Sequence, residues 1–237
     1  MSDNRSAENE HAGRVRDMFA TIAGRYDLLN HLLSANVDKR WRRIVANRID
    51  GKIKLNGARI LDVACGTGDL AATLFEVTGA KVVATDFCRP MLAIAADKMA
   101  HDVTLIESDA LRLPFRDGSF DAVTIGFGLR NLANVQAGLA ELGRVLQSGG
   151  WLAVLEFSRP SNVAVRAVFG TYFTRILPVM GGIVSGSRSA YTYLPESVKR
   201  FPDQRELLAT MEQVGFENVS FENLTGGIAA LHLGRKP

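Results

Sequence analysis

The run Ile60-Leu61-Asp62-Val63-Ala64-Cys65-Gly66-Thr67-Gly68-Asp69 constrains the fold of this chain more than any other segment. It is a short apolar strand that closes on an acid and small residues, then a glycine turn, then the start of a helix. Such a unit brings main chain against a nucleotide-like ligand at the carboxyl edge of a parallel sheet. Gly66 and Gly68 can take positive φ and carry no Cβ, so a ligand can approach the backbone there. The acid ahead of the turn is selective. A phosphate-binding loop avoids negative charge at that point, whereas a ligand carrying an ammonium group and a sulfonium is attracted by it. S-adenosylmethionine is such a ligand, so the segment points to a methyl-transferring enzyme.

The rest of the chain keeps the same rhythm. Arg59–Val63, Lys81–Asp86, Val103–Glu107, Phe120–Gly126 and Trp151–Phe157 read as strands. Asp69–Val77, Pro90–Met99 and Val135–Leu146 read as helices between them, and Ser148-Gly149-Gly150 as a turn. Alternation of this kind needs crossover connections, and it predicts an α/β fold with a doubly wound, mostly parallel sheet. Asp203–Gly215 reads as a further helix. Val219–Asn223 and Ile228–Gly234, separated by Thr225-Gly226-Gly227, read as a C-terminal antiparallel hairpin.

Two segments stand outside that rhythm. Residues 13–50 carry Val15, Met18, Phe19 and Ile22, then Leu28, Leu29, Leu32 and Leu33, at helical spacing, and form an N-terminal helical cap. Residues 158–202 are too long for a simple connection and are rich in Phe169, Tyr172, Phe173, Tyr191, Tyr193 and Leu194. They read as an inserted helical lid over the ligand cleft. Residues 1–12 read as a disordered tail, which leaves 13–237 as a single domain.

The 237 residues, 47% of them hydrophobic, suffice for one large core. A net charge of +3 without a dense Lys/Arg stripe interleaved with aromatics predicts no nucleic-acid partner. Cys65 and Cys88 make no disulfide framework and fit a reducing cytoplasm. The polar, acid-containing start fits no secretory leader. The most apolar stretch, Ala164–Val184, is broken by Arg166, Arg175 and Pro178, so no membrane span is expected. His11, His31, His101 and His232 are scattered, and no metal is expected.

Further acids complete a cofactor constellation. Asp86 closes the second strand, where it can accept both ribose hydroxyls of an adenosine, with Phe87 beside the purine. Asp109, in Ser108-Asp109-Ala110, follows the third strand, where it could accept from the adenine amino group. Thr67 adds a hydroxyl, and Asp69 is a candidate N-cap. Gly66-Thr67-Gly68-Asp69-Leu70-Ala71 also satisfies the loose dinucleotide fingerprint G-x-G-x-x-A, and Asp86 would serve NAD equally well. Asp62 counts against that reading, because it would repel a pyrophosphate. The cofactor-binding set is therefore Asp62, Gly66, Thr67, Gly68, Asp86, Asp109 and Ala110.

Through Ile60–Gly68, Asp86, Asp109 and Leu113–Val123 the chain resembles the class I methyltransferases, whose fold is Rossmann-like. More narrowly, it resembles the quinone-biosynthesis C-methyltransferases, which methylate demethylmenaquinol or a methoxy-polyprenylbenzoquinol. Tyr26-Asp27-Leu28-Leu29-Asn30 with Ser34 and Trp41 carries this likeness, as does Phe127-Gly128-Leu129-Arg130-Asn131. Arg144–Ser158 and Leu224–His232 extend it, so that it runs from about Val15 to Lys236. The family usually has glycine and histidine where this chain has Asn36 and Asp38, so no role of that histidine carries over. It often has two glycines at Ala64-Cys65 and a serine at Gly126.

The resemblance implies a prenylated quinol substrate, S-adenosylmethionine as methyl donor and no metal. Methylation of a quinol carbon requires stabilising a phenolate and accepting a proton. Arg130 would stabilise the phenolate or orient a water, Asn131 would hold a second ring oxygen, and Tyr26 would fold over the same cleft. For the proton acceptor, Asp27, Asp69, Glu156, Tyr191, His232 and a bound water stay open. The lid, with Lys199 and Arg200 beside it, suits peripheral contact with the inner face of a membrane. A homodimer is compatible with the sequence, which names no interface. A methyltransferase acting on RNA and a non-enzymatic adenosine-binding module are the rival readings.

Overall fold

Every strand predicted from apolar clustering is present, and period-two burial decides which layer each side chain joins. In strand β1 (Arg59–Val63), Leu61 and Val63 face one layer of core, while Ile60 faces the other. The computed structural model describes residues 10, 12–24, 27, 34, 36–53, 57–99, 103–160, 166, 170 and 188–237, with the backbone alone over 188–192.

The remaining strands are β2 (Lys81–Asp86), β3 (Val103–Glu107), β4 (Phe120–Gly126), β5 (Leu146–Phe157), β6 (Glu217–Leu224) and β7 (Ala229–Arg235). They form one seven-stranded sheet in the order β3-β2-β1-β4-β5-β7-β6. β1 to β5 run parallel, and β7 lies antiparallel between β5 and β6. The chain leaves β1 in one direction to build β2 and β3, then returns to place β4 on the other side of it. That reversal opens a crevice at the carboxyl ends of β1 and β4, where ligands sit in open α/β sheets.

Among the described residues, helices of more than three residues cover the two faces. They are α1 (residues 12–24), α2 (Val37–Asp50), α3 (Asp69–Thr78), α4 (Arg89–Met99), α5 (Val135–Val145), α6 (Arg188–Arg200) and α7 (Gln204–Val214). Val45 and Ile49 of α2 and Leu74 of α3 pack with Ile60 on one face. Leu139 and Leu142 of α5 and Met211 of α7 pack with Leu61 and Val123 on the other. A capping box between Asp203 and Glu206 starts α7, and the Asn134 side chain caps α5.

The doubly wound sheet and the C-terminal hairpin are as expected. The hairpin connection Thr225–Gly227 is a turn of 3-10 helix, held to α2 by Trp41 Nε1 donating to Thr225 Oγ1 at 2.9 Å. Several element ends shift by a residue or two, and one shifts further: β5 begins at Leu146, so Ser148-Gly149-Gly150 lies inside the strand and not in a turn before it. Phe120 pairs with Leu146 but Ala122 with Trp151, and this register shift absorbs the extra residues. Gly149 (φ 82) donates its N–H to the Lys236 carbonyl, and Lys236 returns one to Gly150. Helix also reaches residues 10 and 12, inside the stretch expected as a tail. Of the expected lid, α6 and the single residues Arg166 and Gly170 are described as helical; Phe169, Tyr172 and Phe173 lie outside the described residues. Among the described residues no helix is long and apolar enough to cross a membrane.

Candidate active site

The crevice floor is the turn after β1. Ala64 (φ 52), Gly66 (φ 57) and Gly68 (φ 86) all take left-handed backbone, which folds the chain back on itself before α3 begins. Gly66 lines the cleft, as its missing side chain suggests. Gly68 answers to a different constraint. Its φ of 86 is one that L side chains rarely adopt, a Cβ there would also displace the tip of Met99 of α4, and Gly68 does not line the cleft.

The cleft is lined by Asp86, Phe87, Met91, Asp109, Ala110 and Leu111 on one side. Asp86 is fixed by two backbone donors at 2.8 Å, Gly66 N–H to Oδ2 and Cys88 N–H to Oδ1. Burial raises its pKa despite them. The second lone pair on each oxygen is left for hydroxyl donors. Asp109 Oδ1 accepts from Leu111 N–H at 2.9 Å, which pins the loop after β3 at the rim.

Across Gly66 a second recess holds Arg42, Asp62, Cys65, Thr67 and Asp69. Asp62 is fully buried. Its Oδ1 accepts from Thr124 Oγ1 at 2.6 Å, while Oδ2 has no hydrogen-bond partner among the described residues. Desolvation pushes its pKa up to about 7. A buried carboxylate oxygen left without a donor is costly, and an ammonium group in this recess would supply one. Around it runs a chain of charge. Arg42 Nη1 bridges Asp38 (2.6 Å) and Asp69 (3.2 Å), and Lys98 Nζ joins Asp69 (2.8 Å) to Asp27, which accepts from Thr67 Oγ1. Thr67 and the N-terminal cap are thereby joined.

The residues fit S-adenosylmethionine. An acid and an apolar wall lie on the nucleoside side, and an unsatisfied acid with an arginine lies on the amino-acid side. The pattern does not suit NAD, for Asp62 stands where a pyrophosphate would press.

The Phe127–Asn131 loop closes the far wall. Phe127 takes φ 58, and its carbonyl accepts from both Arg130 Nη1 and Asn131 Nδ2. Strained backbone of this kind persists where its surroundings over-determine it. Gly128 is required by contact, since a Cβ would fall 2.6 Å from that of Ala64. Asn131 lines the cleft, and Tyr193 of α6 donates its hydroxyl to Asn131 Oδ1 at 3.2 Å.

Arg130 is not among the residues that line the cleft; its buried side chain forms an ion pair with Glu156 and donates to the Phe127 carbonyl, which holds the loop. Of the expected proton acceptors, Glu156 is held by Arg130, and Asp27 and Asp69 by Lys98. His232 Nε2 bonds the Gln204 carbonyl at 2.9 Å, so this nitrogen carries the proton, and burial lowers the ring's pKa. Tyr26, Asn30 and the Tyr191 side chain lie outside the described residues. Cys65 and Cys88 have pKa values raised by burial, as packing residues do. Among the described residues no three His, Cys, Asp or Glu side chains converge as a metal cage.

The residues that the motifs did not reveal are Arg42, Lys98 and the Arg130–Glu156 pair. Only Arg42 left a trace in the sequence, one helical turn after Asp38 on α2. Asn36, at the family's glycine, takes φ 61 as the residue before α2, a conformation asparagine tolerates. Asp38 accepts from Ser34 Oγ at 2.6 Å and pairs with Arg42, so an anion with a structural duty replaces the family histidine.

The family described as the ubiE/COQ5 methyltransferase family matches residues 6–236. A demethylmenaquinone methyltransferase of Thermus thermophilus is 52% identical over 93% of this chain and all of its own length. A ubiquinone/menaquinone biosynthesis C-methyltransferase of Stutzerimonas stutzeri is 41% identical over 97% of this chain and 91% of its own. A SAM-dependent methyltransferase structure from Thermotoga maritima superposes with a TM-score of 0.64 at 20% identity, over 93% of this chain and 99% of that one, and speaks to the fold alone. By sequence over its whole length, the chain belongs to the ubiE/COQ5 methyltransferase family and is a methyltransferase.

Proposed function

We propose that this enzyme methylates a ring carbon of a prenylated hydroquinone, converting demethylmenaquinol to menaquinol, with a methoxy-polyprenylbenzoquinol as the second substrate class. The full-length match to a demethylmenaquinone methyltransferase at 52% identity carries the reading. The apolar walls of the cleft and its few polar groups suit a flat aromatic ring.

Bound S-adenosylmethionine supplies an electrophilic methyl group and needs no covalent enzyme intermediate. The chain's own part is orientation. Asp86 and Asp109 hold the nucleoside, and Asp62 holds the amino group. The Phe127 ring and the Asn131 amide set the ring carbon in line with the methyl, which lowers the barrier by pre-paid orientation. Asn131 and Tyr193 present polar groups to the quinol oxygens, and Arg130 holds the loop that carries them. Contact of Lys199 and Arg200, in the last turn of α6, with a membrane surface belongs to the same reading.

Initial rates with reduced demethylmenaquinone, a reduced methoxy-polyprenylbenzoquinone and bulk tRNA test the assignment. Rapid transfer to either quinol with none to tRNA is expected. Transfer to tRNA alone would replace the quinol reading with the RNA one.

A further inference from the structure

We propose that Arg42 binds the α-carboxylate of the methyl donor, so that the helical cap joins strand β1 in reading the amino-acid end of the ligand. The proposal rests on the reading of the cleft as an S-adenosylmethionine site. Arg42 comes from α2 and lines the recess with Asp62 and Thr67, its side chain only 11% exposed. Nη1 alone serves both neighbouring acids, at 2.6 Å from Asp38 and 3.2 Å from Asp69. Nε and Nη2 bond none of the described residues, yet neither is among the buried atoms sealed without a partner. One edge of the guanidinium is thus anchored and the other keeps its donors free, on a side chain that lies between the recess and an outer groove. An open Nε/Nη2 edge is the geometry that takes a carboxylate through two parallel hydrogen bonds.

The surrounding charges favour the same assignment. Lys98, a second cation nearby, is already engaged by Asp27 and Asp69. Lys39, Arg40 and Arg43 line an outer groove that Arg42 also borders, but of these cations only Arg42 reaches the recess of Asp62 and Thr67 among the described residues. Asp62, with Oδ2 unpartnered in the same recess, is the complementary anion. A cation with two spare donors and an acid with a spare acceptor, facing one recess, match the zwitterion of an α-amino acid. Asp38 is then a positioning residue that aims Arg42.

Calorimetric titration of the whole protein with S-adenosylhomocysteine, decarboxylated S-adenosylmethionine and 5′-methylthioadenosine tests this. The wild type should prefer the carboxylate-bearing ligand by about 30-fold over the decarboxylated one. Arg42→Gln should abolish that preference and leave methylthioadenosine binding within about 2-fold. Arg42→Lys keeps the charge beside Asp38 and Asp69 but loses the fork, and should reduce the preference by about 5-fold. An unchanged preference in either variant would overturn the role of Arg42. Failure of the wild type to bind any adenosyl ligand would instead overturn the underlying reading of the cleft.

Discussion

Arg130 Nη1 lies 2.7 Å from Glu156 Oε1, and the two side chains are 6% and 2% exposed. The pair joins the loop after β4 to the end of β5, and the same Nη1 donates to the Phe127 carbonyl. Glu156→Ala leaves a buried guanidinium without its counter-charge, so it should destabilise the protein by about 3–5 kcal/mol. Urea unfolding at neutral pH measures this. A loss below about 1 kcal/mol would mean that the pair does not hold the loop.

Ala64 and Gly128 form a second coupled pair, because Gly128→Ala brings two methyl groups to 2.6 Å. The substitution should cost about 1–3 kcal/mol. Ala64→Gly removes both the opposing methyl and a left-handed alanine, and by itself should stay within about 1 kcal/mol of wild type. The double variant should recover most of the Gly128→Ala loss. Thermal unfolding of all four proteins gives the coupling, and additive losses would refute it.

Asp62 makes stability depend on pH with a definite sign. Its folded pKa is raised from 3.8 to about 7, so its contribution is fully present below 3.8 and is lost as pH rises through about 7. Ligand-free Asp62→Asn should therefore match wild type near pH 4 and exceed its stability at pH 8 by about 2–4 kcal/mol. Donor binding should follow the opposite trend. Wild-type affinity for S-adenosylmethionine should rise between about pH 6 and 8 as the carboxylate forms, and that of Asp62→Asn should stay weak and flat.

Tyr193 and Asn131 join α6 to the cleft wall by one hydrogen bond of 3.2 Å. Tyr193→Phe should lower kcat/KM for the quinol by about 5- to 10-fold while donor affinity holds. Steady-state kinetics with each substrate varied in turn separates the two. An equal loss for both would mean that Tyr193 serves the fold and not the quinol.

Local physics made much of this legible from sequence. The strands announce themselves by apolar clustering, and Asp62, Gly66, Asp86 and Asp109 each stand at the carboxyl edge where the alternation places them. What stayed hidden depends on partners distant in sequence. Nothing near Gly68 says that Met99 lies over it, and nothing near Arg130 names Glu156. The glycines at 149 and 150 read as a turn, because the pairing with Lys236 that keeps them in β5 crosses most of the C-terminal region. Asp38 looked like a lost histidine until Arg42 and Ser34 appeared beside it.

The most direct test of the central claim follows a ¹³C-methyl label from S-adenosylmethionine into reduced demethylmenaquinone, with the product's carbon environment read by NMR. The account predicts one new methyl signal on the quinone ring carbon, and its loss when Asp62 and Asp86 are both replaced by alanine. A label found on a ring oxygen, or no transfer by protein that still binds the donor, would contradict it.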